Sequence, residues 1–227
     1  MRRKFIKQVG LGALGALLLP KIVFSNDKII KGMRKKPMLA YPVSAKPIDY
    51  SKPTFIQPKL DGVRCVIQAE YIKHKRMTIT AYSRTGKEWK NIEHIKLNLY
   101  RFFDKFPNVI LDGELYNHDL RDDFEQIISL VRKQKPTDQD ARDAENLVQY
   151  HVYDTIAEGV NYEDRFNWLT RYLPIAASMT LIKNTVVESQ DEAKMLHDVH
   201  LAQGYEGSML RLNKKYEHKR SYNLQKF

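Results

Sequence analysis

The 227-residue chain contains a single cysteine, Cys65. That excludes an intramolecular disulfide and any multi-cysteine metal site. Its place in the apolar run after Arg64 predicts a buried structural thiol. Internal repeats and low-complexity tracts are absent, and the apolar, aromatic and charged fractions are those of a folded soluble protein, which excludes disorder and fibrous architectures. The apolar stretch from Val9 to Leu19 is too short to span a membrane comfortably. His94, His118, His151, His197, His200 and His218 show no metal-ligand spacing. Acidic residues are in deficit, 27 against 38 Lys and Arg, for a formal charge of +11. Such a surplus points to polyphosphate partners, nucleic acid or an anionic membrane, and says nothing of fold.

The N-terminus has a basic start, an apolar middle and small or apolar residues before Asn26, the layout of a secretory signal with a cut after Ser25. Arg2-Arg3, with Phe5 and Lys7 behind them, resemble the twin-arginine signal used by proteins that fold before export. Residues 1–25 are therefore expected to be a signal peptide and 26–36 a linker, with a periplasmic location if the signal is used and a cytoplasmic one otherwise. A start at Met33 or Met38 is the competing reading. Removing residues 1–25 takes five basic residues and no acid, which lowers the charge from +11 to +6.

From Pro37 the pattern predicts one α+β domain with mainly antiparallel sheets packed by helices, because predicted strands adjoin one another without strict β-α-β alternation. Segments rich in β-branched and aromatic residues predict strands at Thr54–Pro58, Val63–Gln68, Met77–Tyr82, Val109–Tyr116, Val148–Asp154, Thr180–Val187 and Tyr205–Leu212. Helices are predicted over Ile92–Phe106, where Ile92, Ile95, Leu99, Phe102 and Phe106 recur every three or four residues, and over Asp122–Lys133, Tyr162–Tyr172 and Asp191–Gln203. Ser189 or Asp191 is the expected cap of the last. Pro136 to Glu145 is expected to be an exposed loop or a short surface helix.

Lys59-x-Asp61-Gly62-x-Arg64 sits at the end of the first of these strands. Four fixed residues match by chance in a chain of this length with a probability on the order of 10⁻³. "SRTG" at Ser83–Gly86, "LDGEL" at Leu111–Leu115, "VYD" at Val152–Asp154, "EGSMLR" at Glu206–Arg211 and "KRSYNLQKF" at the C-terminus follow in order. Taken singly, each has an ordinary explanation. Lys59 would be a solvated hairpin lysine, Glu114 a surface acid, Arg84 a turn arginine, Tyr153 a core aromatic and Glu206-Gly207 a turn before a strand.

Together and in this order they resemble the covalent nucleotidyltransferase superfamily, most closely the ATP-dependent DNA ligases, over Pro37 to Phe227. "KPMLA" at Lys36–Ala40 and "FEQIISLVRK" at Phe124–Lys133 are similar to the small ligases of phages and of the bacterial periplasm. The resemblance implies an ATP-grasp-like adenylation domain in which a lysine attacks the α-phosphate of ATP to give lysyl-AMP. The AMP then passes to the 5'-phosphate of a DNA nick, and the 3'-hydroxyl seals the break. A lysine amine attacks only when deprotonated, which desolvation or neighbouring positive charge favours; a cleft with Arg64, Lys226 and a metal ion would supply both.

By resemblance, Lys59 carries the AMP, and Arg64 and Glu114 hold the ribose. Arg84 contacts the phosphate end of the nick or of the nucleotide, Tyr153 stacks on adenine, and Gln57 reads its exocyclic amine. Glu206, with Glu114, supports Mg²⁺ or another divalent cation, and Lys226 touches the α-phosphate. Asp61 and Gly62 shape the loop. The implied partner is nicked double-stranded DNA, bound by a monomer. Too few residues lie between Asn26 and Lys59 for the nicotinamide-recognising domain of NAD-dependent ligases, so ATP is the expected donor. The family's last motif reads lysine-x-lysine and precedes a C-terminal OB-fold; only Lys226 is present here. A fragment is therefore expected, one that binds ATP weakly and adenylates slowly. An RNA ligase, a capping enzyme or a non-catalytic basic nucleic-acid-binding protein are the alternatives.

Overall fold

The computed structural model describes residues 32–72 and 76–227, so the expected signal peptide and most of the expected linker lie outside the described residues. In chain order the elements are β1 (Leu39–Pro42), β2 (Thr54–Lys59), β3 (Val63–Ile72), β4 (Arg76–Tyr82), β5 (Glu88–Trp89), α1 (Glu93–Lys105), β6 (Ile110–Tyr116), α2 (Phe124–Val131), α3 (Asp138–Leu147), β7 (Gln149–Thr155), α4 (Tyr162–Tyr172), β8 (Met179–Leu181), β9 (Thr185–Val187), α5 (Gln190–Ala202), β10 (Gly207–Leu212) and β11 (Arg220–Lys226). The strands build two sheets, ordered β1-β11-β10-β2-β9 and β5-β4-β3-β6-β7-β8. Two pairings are parallel, β1 with β11 and β7 with β8; the rest are antiparallel. The expected α+β class with mainly antiparallel sheets is what forms.

Period-two alternation decides which side chains face which layer. On β3, Cys65, Ile67 and Ala69 point into the main core, where Ile95, Leu99, Phe102 and Phe103 of α1, Ile127, Leu130 and Val131 of α2, and Trp168 and Leu169 of α4 cover the six-stranded sheet. The alternate residue Val66 points the other way and packs with Ile110, Ile156, Met38, Tyr216 and Leu224, where the two sheets meet. On the far side of the five-stranded sheet, α5 packs Ala193 over Ile56, Leu210 and Val187. Cys65 is fully buried, as its apolar setting predicted. Among the described residues no helix is long and apolar enough to cross a membrane.

The structure departs from the sequence pattern in two places and decides an open alternative in a third. The strand expected over Thr180–Val187 is two strands in different sheets: β8 pairs with β7 and β9 with β2. Between them Asn184 accepts a hydrogen bond from the Tyr162 hydroxyl at 2.9 Å as the chain crosses from one sheet to the other. The stretch at Pro136–Glu145 contributes a helix, α3, started by a capping box in which Thr137 and Asp140 satisfy each other's backbone N–H groups. Strands β1, β5 and β11 had no signal. β11 reads Arg-Ser-Tyr-Asn-Leu-Gln-Lys, and its inward positions Ser221 and Gln225 are polar, so no apolar alternation marks it. Of the two candidate caps for α5, Ser189 does the work, accepting from Glu192 N at 3.1 Å.

Candidate active site

The turn Leu60-Asp61-Gly62 carries the chain from one sheet to the other, from β2 to β3. A Cβ at Gly62 would lie 2.6 Å from both Glu114 Cγ and the Leu115 carbonyl oxygen. Glycine is required here because β6 passes directly against the turn, and this contact brings Glu114 beside the lysine strand. Gly113 meets a similar demand: a Cβ would lie 2.5 Å from the His151 carbonyl oxygen and 2.7 Å from the Tyr150 ring, at the bulge where β6 shifts register against β7.

Alternation then aims the polar residues of both sheets at one another. On β2, Gln57 and Lys59 point away from Ile56 and its α5 contacts. On β3 and β6, the cross-strand pair Arg64 and Glu114 points away from the helices. Across the five-stranded sheet, Lys226, Met209 and Gln57 lie in one row. The result is a cleft of about 320 Å³ lined by Gln57, Lys59, Arg64, Arg84, Glu114, Tyr153 and Lys226, with Arg211 and Arg220 completing its basic wall. Seven of the eight residues singled out from the sequence line this one cavity. The eighth, Glu206, is tied to it by an ion pair with Lys59 and by its backbone N–H, which donates to the Lys59 carbonyl at 3.1 Å. Arg84 stands exposed on the turn between β4 and β5, which Ser83 closes through Lys87 N at 3.0 Å.

Arg64 and Glu114, both expected to hold the ribose, face the cleft side by side, but Arg64 is engaged by another carboxylate. Its Nε and Nη2 form a bidentate pair with Asp112 at 2.7 and 2.5 Å, and Nη2 also donates to the Met38 carbonyl at 3.2 Å. Asp112 accepts in addition from the Tyr216 hydroxyl at 2.6 Å. Among the described residues Glu114 therefore accepts only from the Tyr153 hydroxyl, at 3.2 Å, and burial pushes its carboxyl up to about 7 against the opposing pull of Arg64. The Tyr153 ring lies 5.1 Å from the guanidiniums of both Arg64 and Arg211, which fixes its position in the wall.

Sequence reasoning missed the polar lattice beneath the cleft. Asp154 is fully buried, held by Arg165 at 2.8 and 2.9 Å and by Arg211 at 2.9 Å; Arg211 continues to Gln57 Oε1 at 2.7 Å. Its signal lies in "VYD" and "EGSMLR", whose last residues are Asp154 and Arg211. Among the described residues no group of three or more His, Cys, Asp or Glu side chains is placed to hold a metal ion. Glu114 and Glu206 supply the one or two carboxylates that Mg²⁺ uses when phosphate oxygens and water complete its shell, so the donor set fits such an ion.

His151, directly across from Glu114 on β7, is pushed down to about 4 by burial and then by neighbouring His118. A histidine that stays neutral in the fold but titrates near 6.5 once unfolded contributes stability above that pH and loses it as pH falls toward the folded value. Between pH 7 and 5 the loss from His151 alone is expected to be about 2 kcal/mol. Urea denaturation at the two pH values should show it, and His151→Gln should flatten the dependence by that amount. Parallel pH curves for the two proteins would refute the assignment.

The family model for the ATP dependent DNA ligase domain matches residues 37–227. The DNA ligase of Enterobacteria phage T4 is 24% identical over 216 residues, covering 77% of this chain and 44% of that protein. The DNA ligase of African swine fever virus (isolate Tick/South Africa/Pretoriuskop Pr4/1996) is 30% identical over 172 residues, covering 71% of this chain and 37% of that protein. The chain thus spans less than half the length of these curated relatives. Among solved structures, a Lig E DNA ligase superposes with a TM-score of 0.64 at 21% identity, covering 86% of this chain and 68% of that one. The ATP-dependent DNA ligase of bacteriophage T7, in complex with ATP, gives 0.61 at 17% identity, with the same coverage of 86% and 68%. These likenesses establish the fold, and the family match over nearly the whole described chain establishes that it belongs to the ATP-dependent DNA ligase domain family.

Proposed function

We propose that this chain is the adenylating part of an ATP-dependent DNA ligase, with Lys59 as the nucleophile. The convergence of Lys59, Arg64, Glu114, Tyr153 and Lys226 from five strands, and of Arg84 from the turn between β4 and β5, on one cleft carries this reading. The ATP complex of the T7 enzyme, which shares the fold, supports ATP as the ligand.

Attack by the Lys59 amine on the α-phosphorus forms a P–N bond, breaks the bond to the bridging oxygen, and releases pyrophosphate. Lys59 must first leave the Glu206 carboxylate that holds it. Phosphoryl transfer is chiefly a matter of positioning and of charge placed in advance. Lys226, Arg220 and Arg84 supply positive charge along the cleft, and Tyr153 offers a ring held in place for the base. A divalent cation such as Mg²⁺, held by Glu114 and Glu206 with phosphate oxygens, would neutralise charge on the transferring phosphate. The AMP then passes to the 5'-phosphate of nicked duplex DNA, which the basic surface attracts.

The test is direct. The chain is incubated with α-labelled ATP and Mg²⁺, and peptides are mapped by mass spectrometry. A single acid-labile adduct on Lys59 is expected. An adduct elsewhere, or none, would overturn the proposal.

A further inference from the structure

Gln57 is buried in the cleft wall with both ends of its amide engaged. Oε1 accepts from Arg211 Nε at 2.7 Å, and Nε2 donates to the Tyr153 carbonyl at 3.4 Å. A guanidinium only donates, so the oxygen must face Arg211; the flipped amide would set donor against donor. Arg211 cannot turn aside. It is 3% exposed, its Nη1 donates to Asp154 Oδ2 at 2.9 Å, and Asp154 is itself clamped by Arg165. The Arg211 guanidinium also lies 5.1 Å from the rings of Tyr153 and Tyr162. The remaining lone pair of Oε1 and the remaining hydrogen of Nε2 are what Gln57 can offer a base.

A glutamine amide reads adenine by accepting from the 6-amino group and donating to the adjacent ring nitrogen. Turned over, the same amide donates to a 6-oxo group and accepts from the protonated N1 of guanine or hypoxanthine. A freely rotating amide serves both classes of purine, whereas one held in a single orientation serves one. We infer that Arg211 is a specificity-determining positioning residue: by locking the Gln57 amide it restricts the cleft to 6-amino purine nucleotides. The inference rests on the reading that this cleft takes a purine nucleoside triphosphate and that Gln57 faces its base. Arg211 acts through Gln57 and touches no reacting atom.

The experiment compares ATP, GTP and ITP with the full chain and Mg²⁺, by covalent labelling and by nucleotide-dependent shift of the thermal melt. Wild type is expected to favour ATP over ITP by about 100-fold or more, since mispaired buried polar groups are strongly penalised. Arg211→Lys keeps a donor for Oε1 and a cation for Asp154, and should retain most of that ratio. Arg211→Gln, which can donate or accept, releases the lock and should narrow the ratio about tenfold or more, chiefly through KM. Gln57→Ala should narrow it as well, and adding Arg211→Gln to Gln57→Ala should change the ratio no further. An unchanged ratio in folded Arg211→Gln overturns the inference. Should that variant not fold, an unchanged ratio in Gln57→Ala overturns it instead. Wild type that takes ATP and ITP equally sinks the inference alone; wild type that takes neither, by label or by melt, sinks the functional reading beneath it.

Discussion

Lys59→Ala and Lys59→Arg are both expected to reduce adenylyl labelling below detection while leaving the fold and duplex DNA binding nearly unchanged. The two substitutions separate the roles that a lysine in a basic cleft can play. Arginine preserves the positive charge but stays protonated, so it cannot serve as the nucleophile. A purely electrostatic role would leave Lys59→Arg close to wild type, and labelling of that variant at the wild-type rate would end the nucleophile assignment. Structural collapse is not expected to confuse the result. Lys59 closes β2 with its side chain 21% exposed, and its partner Glu206 is 46% exposed, so the orphaned carboxylate is hydrated. The stability cost of losing such a pair is expected to be about 1 kcal/mol or less. Loss of one charge should lower DNA affinity only slightly, with a change of about one in the salt slope. Electrophoretic label transfer, thermal melting and salt-dependent DNA binding on the same preparations check all three.

Asp154→Asn is expected to cost about 3–5 kcal/mol, the largest stability loss of any single charge change in the described structure. Asp154 is fully buried and is the common partner of Arg165 and Arg211, which are also buried, at 1% and 3% exposure. Three short contacts and the Thr155 N–H, at 2.8 Å, converge on its two oxygens. Neutralising the carboxylate leaves two buried guanidiniums facing one amide. Breaking a buried pair from one side costs this much because the remaining charge is uncompensated, whatever the net worth of the intact pair. For a domain of this size the melting temperature should fall by about 10 °C. Asp104→Asn, at an exposed position on α1, should change stability by no more than about 0.5 kcal/mol. Equal melts for the two variants would show that Asp154 does not anchor the lattice. Because Arg211 links Asp154 to Gln57, a partial loss of nucleotide selectivity is expected to accompany the loss of stability.

The sequence by itself determined the fold class, most strands and helices, and the identity of the residues that meet in the cleft. Local rules sufficed for the elements, and the ordered motifs, through the family they resemble, supplied the cleft residues. The apolar repeat of α1 and the alternation on β3 are written in consecutive residues, and Lys59, Gly62 and Arg64 announce themselves by spacing. Tertiary structure alone decided what those residues touch. Arg64 and Glu114 are cross-strand neighbours, yet Arg64 commits two of its nitrogens to Asp112, because that carboxylate is presented edge-on from β6 with Tyr216 closing behind it. Strand β11 carries no apolar alternation because its inward positions, Ser221 and Gln225, are polar and bond to near neighbours, Ser221 to Glu217 and Gln225 to the Tyr222 carbonyl, and that pattern does not read as a strand in a short window. The Asp154–Arg211–Gln57 chain joins positions up to 154 residues apart. Hydrogen-bond partnership of that kind depends on burial and approach direction, quantities that exist only once two sheets have closed on each other.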